Sequence, residues 1–158
     1  MGFVLMFSPE RCNGCQKCVH ACAVERGGAF RKEASRTRVF TVKGETGRFS
    51  VSMQCQQCDD AKCVDICPTG AMHHGPADSY LVEYDADACI DCRLCAAVCP
   101  FGGVQYDEIG HALAKCDTCS GEPKCVAACE HGALEFLETD EVVLARRRAQ
   151  AELLREAW

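Results

Sequence analysis

Apolar residues in this chain come in short bursts rather than long stripes. FVLMF (3–7), RVFTV (38–42), RFSVSM (48–53), YLVEY (80–84), VQY (104–106) and ALEFL (133–137) each have the length of a strand. RVFTV and RFSVSM flank KGETG, a five-residue turn, and predict a hairpin. HALA (111–114) is expected to pair with VQY across DEIG. No stretch approaches the roughly 18 consecutive apolar residues of a membrane helix, so no direct membrane span is expected. The end of the chain differs in kind. ETDEVVLARRRAQAELLREAW (138–158) has no glycine or proline and predicts a helix over 140–158. Asp140 can cap its start, and Glu141 sits where a helix N-terminus favours an anion. Val142, Ala145, Ala149, Leu153 and Trp158 approximate one apolar stripe. It packs on its own domain or docks on another subunit or a second copy of the chain; both readings stay open.

The bursts are too sparse to build an ordinary core. The hydrophobic fraction of 48% includes 16 cysteines among 158 residues. With cysteine set aside only about 38% is apolar, below the usual share. A core this thin is marginal, and bonds to metal are expected to replace part of it. Cysteine density also suggests disulfides, but those go with secretion. In MGFVLMFSPER the charges follow the apolar run, and no cleavage site is visible. A reducing, cytoplasmic setting is therefore expected.

The cysteines fall in quartets: Cys12, Cys15, Cys18, Cys22; Cys55, Cys58, Cys63, Cys67; Cys89, Cys92, Cys95, Cys99; Cys116, Cys119, Cys125, Cys129. This is an imperfect internal repeat. After the last cysteine of three quartets the chain reads CPTGAM, CPFGGV and CEHGAL; the first departs with CAVERGGAF. Between the third and fourth cysteines lie VHA, VDI, AAV and VAA, each suited to the first turn of a short helix. The third quartet is a complete C-x2-C-x2-C-x3-C-P, the run of bacterial two-cluster ferredoxins, in which the fourth cysteine ligates the other cluster. Sixteen thiols in this spacing predict four [4Fe–4S] clusters as cofactors. Paired C-x2-C knuckles also suit zinc, but zinc has no use for the third cysteine at the next step in Cys12/15/18 and Cys89/92/95.

The formal charge is −6. Four oxidised clusters with their thiolates would add about −8, which argues against a nucleic-acid partner and fits docking to a basic patch on a redox partner. His20 and His131 lie beside quartets and are candidates for tuning a nearby cluster. Lys17, Lys62, Arg93, Lys115 and Lys124 lie inside or just before quartets; any that reach a cluster would raise its potential. No nucleophile–base arrangement is visible, so no catalytic residue is assigned and the chain is not expected to be an enzyme by itself.

From Cys12 to Cys129 the chain resembles the four-cluster, ferredoxin-like electron-transfer subunits of multisubunit oxidoreductases: dimethyl sulfoxide reductases, formate dehydrogenases, hydrogenases, carbon monoxide dehydrogenases and tungsten aldehyde oxidoreductases. QCQQCDDAKCVDICPTGA (54–71) is the characteristic stretch, and SRTRVF (35–40) is most similar to the compact members beside the carbon monoxide and aldehyde enzymes. The resemblance implies an α+β fold of two nested ferredoxin-like modules plus a C-terminal helix. The outer module would span 1–34 and 104–139, the inner one 50–103, with a connecting hairpin at 35–53. One outer cluster would take Cys12, Cys15, Cys18 and Cys129, the other Cys22, Cys116, Cys119 and Cys125. The inner clusters would take Cys55, Cys58, Cys63 and Cys99, and Cys67, Cys89, Cys92 and Cys95. The implied partners are a catalytic subunit with a tungsten, molybdenum or other metallocofactor, first of all an aldehyde oxidoreductase, and a flavin or NADH subunit. The alternatives are a freestanding polyferredoxin shuttle, or service to a carbon monoxide dehydrogenase, formate dehydrogenase or hydrogenase.

Overall fold

The computed structural model describes residues 3–29, 31–44, 47–77, 79–107 and 112–138, together with 140, 145, 146, 148, 149 and 152. Its architecture is α+β. The strands are β1 (Phe3–Phe7), β2 (Arg38–Gly44), β3 (Gly47–Met53), β4 (Met72–His74), β5 (Val82–Tyr84), β6 (Val104–Asp107), β7 (Ala112–Lys115) and β8 (Leu134–Glu138). The helices are α1 (Lys17–Gly27), α2 (Lys62–Asp65), α3 (Leu94–Val98) and α4 (Lys124–Ala127).

All the strand pairs are antiparallel and two-stranded: β1 with β8, β2 with β3, β4 with β5, β6 with β7. Such small ribbons are marginal alone and need something to pack on. The β1–β8 pair joins the two ends of the described chain, Phe3 opposite Glu138 and Phe7 opposite Leu134. It brings the first and last quartets into one region. The β2–β3 ladder runs through to Gly44 opposite Gly47, so the turn is tighter than the five residues of KGETG suggest. β4 is a strand that its sequence, MHH, does not announce.

Each of the four helices carries the third cysteine of its quartet. α1 packs on α4, and α2 on α3. α1 is much longer than its counterparts, running past Cys22 to Gly27; its end is closed by Gly28, whose N–H bonds the Val24 carbonyl at 2.8 Å. The core divides accordingly. Leu5, Val19, Val39 and Leu134 surround Cys18, Cys55, Cys116 and Cys125 in one group. Met72, Val104 and Leu113 surround Cys95 in another. Half of the first group's buried members are thiols, which is where the missing apolar mass has gone.

Of the tail, residues 145, 146, 148, 149 and 152 are helical. Arg146 pairs with Glu135 of β8 at 3.9 Å. Ala145 and Ala149 are exposed rather than buried. Val142, Leu153 and Trp158 of the expected stripe lie outside the described residues. Among the described residues no helix is long and apolar enough to cross a membrane.

Candidate metal centres

The loops that carry the first two cysteines of each quartet share one backbone device. The second residue after the first cysteine has positive φ in all four: Gly14 (75°), Gln57 (48°), Asp91 (55°) and Thr118 (56°). The fourth residue repeats it in three: Gln16 (62°), Arg93 (61°) and Ser120 (55°). Only one of these seven is glycine. Left-handed backbone costs a side-chain-bearing residue of order 1 kcal/mol and persists where the surroundings over-determine it. The turn aims the amides of Asp91 and Thr118 at the first sulfur of their own quartets, and three amides from outside these loops meet other cysteines. Arg36 N lies 3.2 Å from Cys22 Sγ and Gly103 N 3.2 Å from Cys99 Sγ. Met72 N to Cys67 Sγ, Asp91 N to Cys89 Sγ and Thr118 N to Cys116 Sγ are each 3.4 Å. The sequence reveals this device only in part: Gly14 and Asp91 are turn residues at loop tips, but Gln16, Gln57, Arg93 and Thr118 are not turn signals.

The cysteines gather across the chain. Cys12, Cys15, Cys18 and Cys129 line one pocket. Cys22, Cys116, Cys119 and Cys125 line a second. Cys18 and Cys22 lie one turn apart on α1, yet face different cavities. Around Cys63 the neighbouring thiols are Cys55 and Cys99, with Cys58 half-buried at the end of the 55–58 loop. Around Cys95 they are Cys67, Cys89 and Cys92. Asn13 Nδ2 and His131 Nε2, from the first and fourth loops, meet at 2.9 Å beside the first cavity.

Burial pushes the Cys116 and Cys125 thiols up to about 12 and Cys18 up to about 11, with neighbouring thiolates adding to the rise. Cys63 and Cys95 rise for the same reason. At Cys67 burial also pushes upward, but the N–H of Met72 and the Thr69 hydroxyl outweigh it and hold the thiol below its usual value. Buried thiols become thiolates only beside compensating positive charge. The second cavity has a further demand. Arg26 Nε, Arg36 Nε and Thr37 Oγ1 are buried without a hydrogen-bond partner among the described residues, and all three residues line it. A cationic core rich in sulfur acceptors fits this donor set.

The five cations near the quartets separate into two kinds. Lys17 pairs with Glu130, Lys62 with Asp60 and Asp65, and Lys124 with Glu122. Arg93 pairs with Asp91 and stacks on Tyr106, 3.6 Å from the ring centroid. All four are at the surface, where such pairs contribute little. Lys115 is buried.

Comparison with known proteins bears on this arrangement. A 4Fe-4S dicluster domain pattern matches residues 46–139, and a second 4Fe-4S dicluster pattern matches residues 5–68. The beta subunit of an NADH-dependent phenylglyoxylate dehydrogenase from Aromatoleum evansii is 38% identical over 138 residues, 87% of this chain and 31% of that one. The chain thus spans about a third of that relative. A ferredoxin of Methanocaldococcus jannaschii is 33% identical over 90% of this chain and 76% of its own length. The B subunit of the anaerobic dimethyl sulfoxide reductase of Escherichia coli (strain K12) is 33% identical over 84% of this chain and 72% of its own length.

Proposed function

The chain belongs to the 4Fe-4S dicluster family, and from that premise we propose that it is an electron-transfer subunit holding four [4Fe–4S] clusters in a row. The ligand sets are Cys12/Cys15/Cys18/Cys129, Cys22/Cys116/Cys119/Cys125, Cys55/Cys58/Cys63/Cys99 and Cys67/Cys89/Cys92/Cys95. When bound, each cluster supplies a one-electron carrier whose potential follows its charge, hydrogen bonds and exposure.

One observation carries this reading: the order of the sets and where they surface. α1 and α4 tie the first set to the second, Cys116 and Cys55 tie the second to the third, and α2 and α3 tie the third to the fourth. The exposed cysteines are Cys15 and Cys92, one in each terminal set. No cysteine of the two middle sets is exposed; Cys22, Cys55, Cys116 and Cys125 there are buried, as are Cys18 and Cys95 of the terminal sets. A row closed along its length and open at both ends suits passage between two partners. The modules follow: 1–34 with 104–139 outside, 50–103 inside and the 35–53 hairpin between. The β6–β7 hairpin seats Val104 and Leu113 in the inner core and so joins the two.

The partner at one end is a catalytic subunit with a tungsten or molybdenum cofactor. The SRTRVF segment and the tail favour an aldehyde oxidoreductase, with a flavin or NADH subunit at the other end. The setting is the cytoplasm, and the chain itself converts no substrate. Isolation of the untagged protein from its own cell, followed by native mass and metal analysis, tests this. Tungsten or molybdenum in fixed ratio to the chain is expected. A lone chain under those conditions would favour the second reading, a freestanding ferredoxin, which the similarity to the Methanocaldococcus jannaschii protein supports.

A further inference from the structure

Lys115 is 3% exposed, at the end of β7 and directly before Cys116. Its ammonium bonds three carbonyl oxygens: Gln57 Oε1 at 3.3 Å, Cys116 O at 3.2 Å and, closer still, Val82 O. None of these is charged. Gln57 is 1% exposed and sits between Cys55 and Cys58 in left-handed backbone. It donates to Cys116 O at 2.8 Å and accepts from Val82 N at 2.9 Å. The pair therefore stitches the loop of the second set, through Cys116, to the loop of the third, through Gln57. The Arg36 guanidinium caps the same place by bonding Lys115 O at 2.7 Å.

A buried ammonium whose partners are only neutral carbonyls is costly unless a negative charge lies near. The thiolates and clusters of the two middle sets are the negative charge at hand. Resting on the four-cluster reading above, we propose that Lys115, held by Gln57, is a positioned charge shared by the two middle sets, raising both of their reduction potentials above those of the terminal sets. A fixed positive charge favours the more negative, reduced form, and low dielectric magnifies the effect. An electron would then rest at the closed centre of the row and leave from an open end only when a partner draws it. Lys17, Lys62, Lys124 and Arg93 differ in being exposed and paired with surface carboxylates, where solvent screens their charge.

The test is a redox titration of the whole iron-loaded chain followed by electron paramagnetic resonance, with iron per chain measured on each sample. Lys115→Met should lower two of the four potentials by at least a tenfold change in the reduced-to-oxidised ratio, about 59 mV for one electron. Lys115→Arg, which keeps the charge, should restore most of the shift. Gln57→Glu leaves Lys115 in place but sets a carboxylate against it, and should lower the same two potentials. It serves as the measurement if Lys115→Met loses iron. Unchanged potentials in iron-replete Lys115→Met, an equal shift of all four, or unchanged potentials in Gln57→Glu would overturn the proposal. Iron far below sixteen per chain in the unsubstituted protein would instead overturn the cluster reading beneath it.

Discussion

Gly103 presses directly on Cys55: a Cβ at Gly103 would fall 2.5 Å from the Cys55 Cα and 2.8 Å from its nitrogen. Because the obstacle is backbone, nothing can rotate away. Gly103 also donates its N–H to Cys99 Sγ, so one residue touches two ligands proposed for the same set. Gly103→Ala is expected to push the 99–103 turn off the second quartet. The cost should be about 1–3 kcal/mol, the range for overpacking. About four of sixteen irons should be lost. Iron per chain and the melting temperature check this; both unchanged would show that the contact relaxes freely.

The crossed ligand sets predict that distant cysteines fail together. Cys22→Ser should remove the centre shared with Cys116, Cys119 and Cys125 and spare that of Cys12, Cys15 and Cys18. Cys129→Ser should do the opposite. Resolving the remaining centres by reduction potential distinguishes the two variants. Loss of the same centre in both would refute the crossing.

The raised thiols set a pH dependence for the iron-free chain. Cys116 and Cys125 near 12 and Cys18 near 11 stand above the ordinary 9.0. Above pH about 9 the unfolded chain releases protons that the fold retains, so folding stability falls with pH across roughly 9 to 12. Below that window the contribution is fully present. Iron needs thiolates, so the loaded protein should be weakened by acid instead. Circular dichroism of both forms across pH should show the iron-free signal failing in alkali while the loaded signal persists. Superimposable alkaline profiles would contradict the assignment of burial as the cause.

How far the sequence foretells this structure depends on the range of each interaction. The quartets are legible because three ligands lie within seven to ten residues and chemistry fixes their spacing. FVLMF, RVFTV, RFSVSM and VQY become strands, as does LEFL of ALEFL, and Ala112–Ala114 of HALA pair with β6, because local alternation is enough to define a ribbon. β4 is not legible: His73 and His74 are exposed, and only Met72 is buried. The positive φ of Gln57, Arg93 and Thr118 leaves no mark either, since these residue types carry no turn preference. Nor does the burial of Lys115. A lysine beside a cysteine reads as a solvated charge until Gln57, 58 positions away in the chain, is placed against it.

The tail offers a fourth test. Arg146 of the tail pairs with Glu135 of the body, and Ala145 and Ala149 are exposed. Deleting 140–158 removes no cysteine and should leave iron content unchanged. If the exposed side of the tail meets a partner or a second copy, the truncated chain should lose that association. Iron per chain and complex size, measured on one sample, separate this from a purely internal role, which predicts loss of thermal stability and iron with the complex intact.

The central claim is that sixteen cysteines hold four clusters, and iron and acid-labile sulfide per chain test it most directly. Protein isolated anaerobically should be brown, contain about sixteen irons and sixteen sulfides, and become paramagnetic on reduction. A colourless protein containing zinc and no sulfide would contradict the account at its base. So would an anaerobic preparation that saturates at about eight irons with its thiols intact.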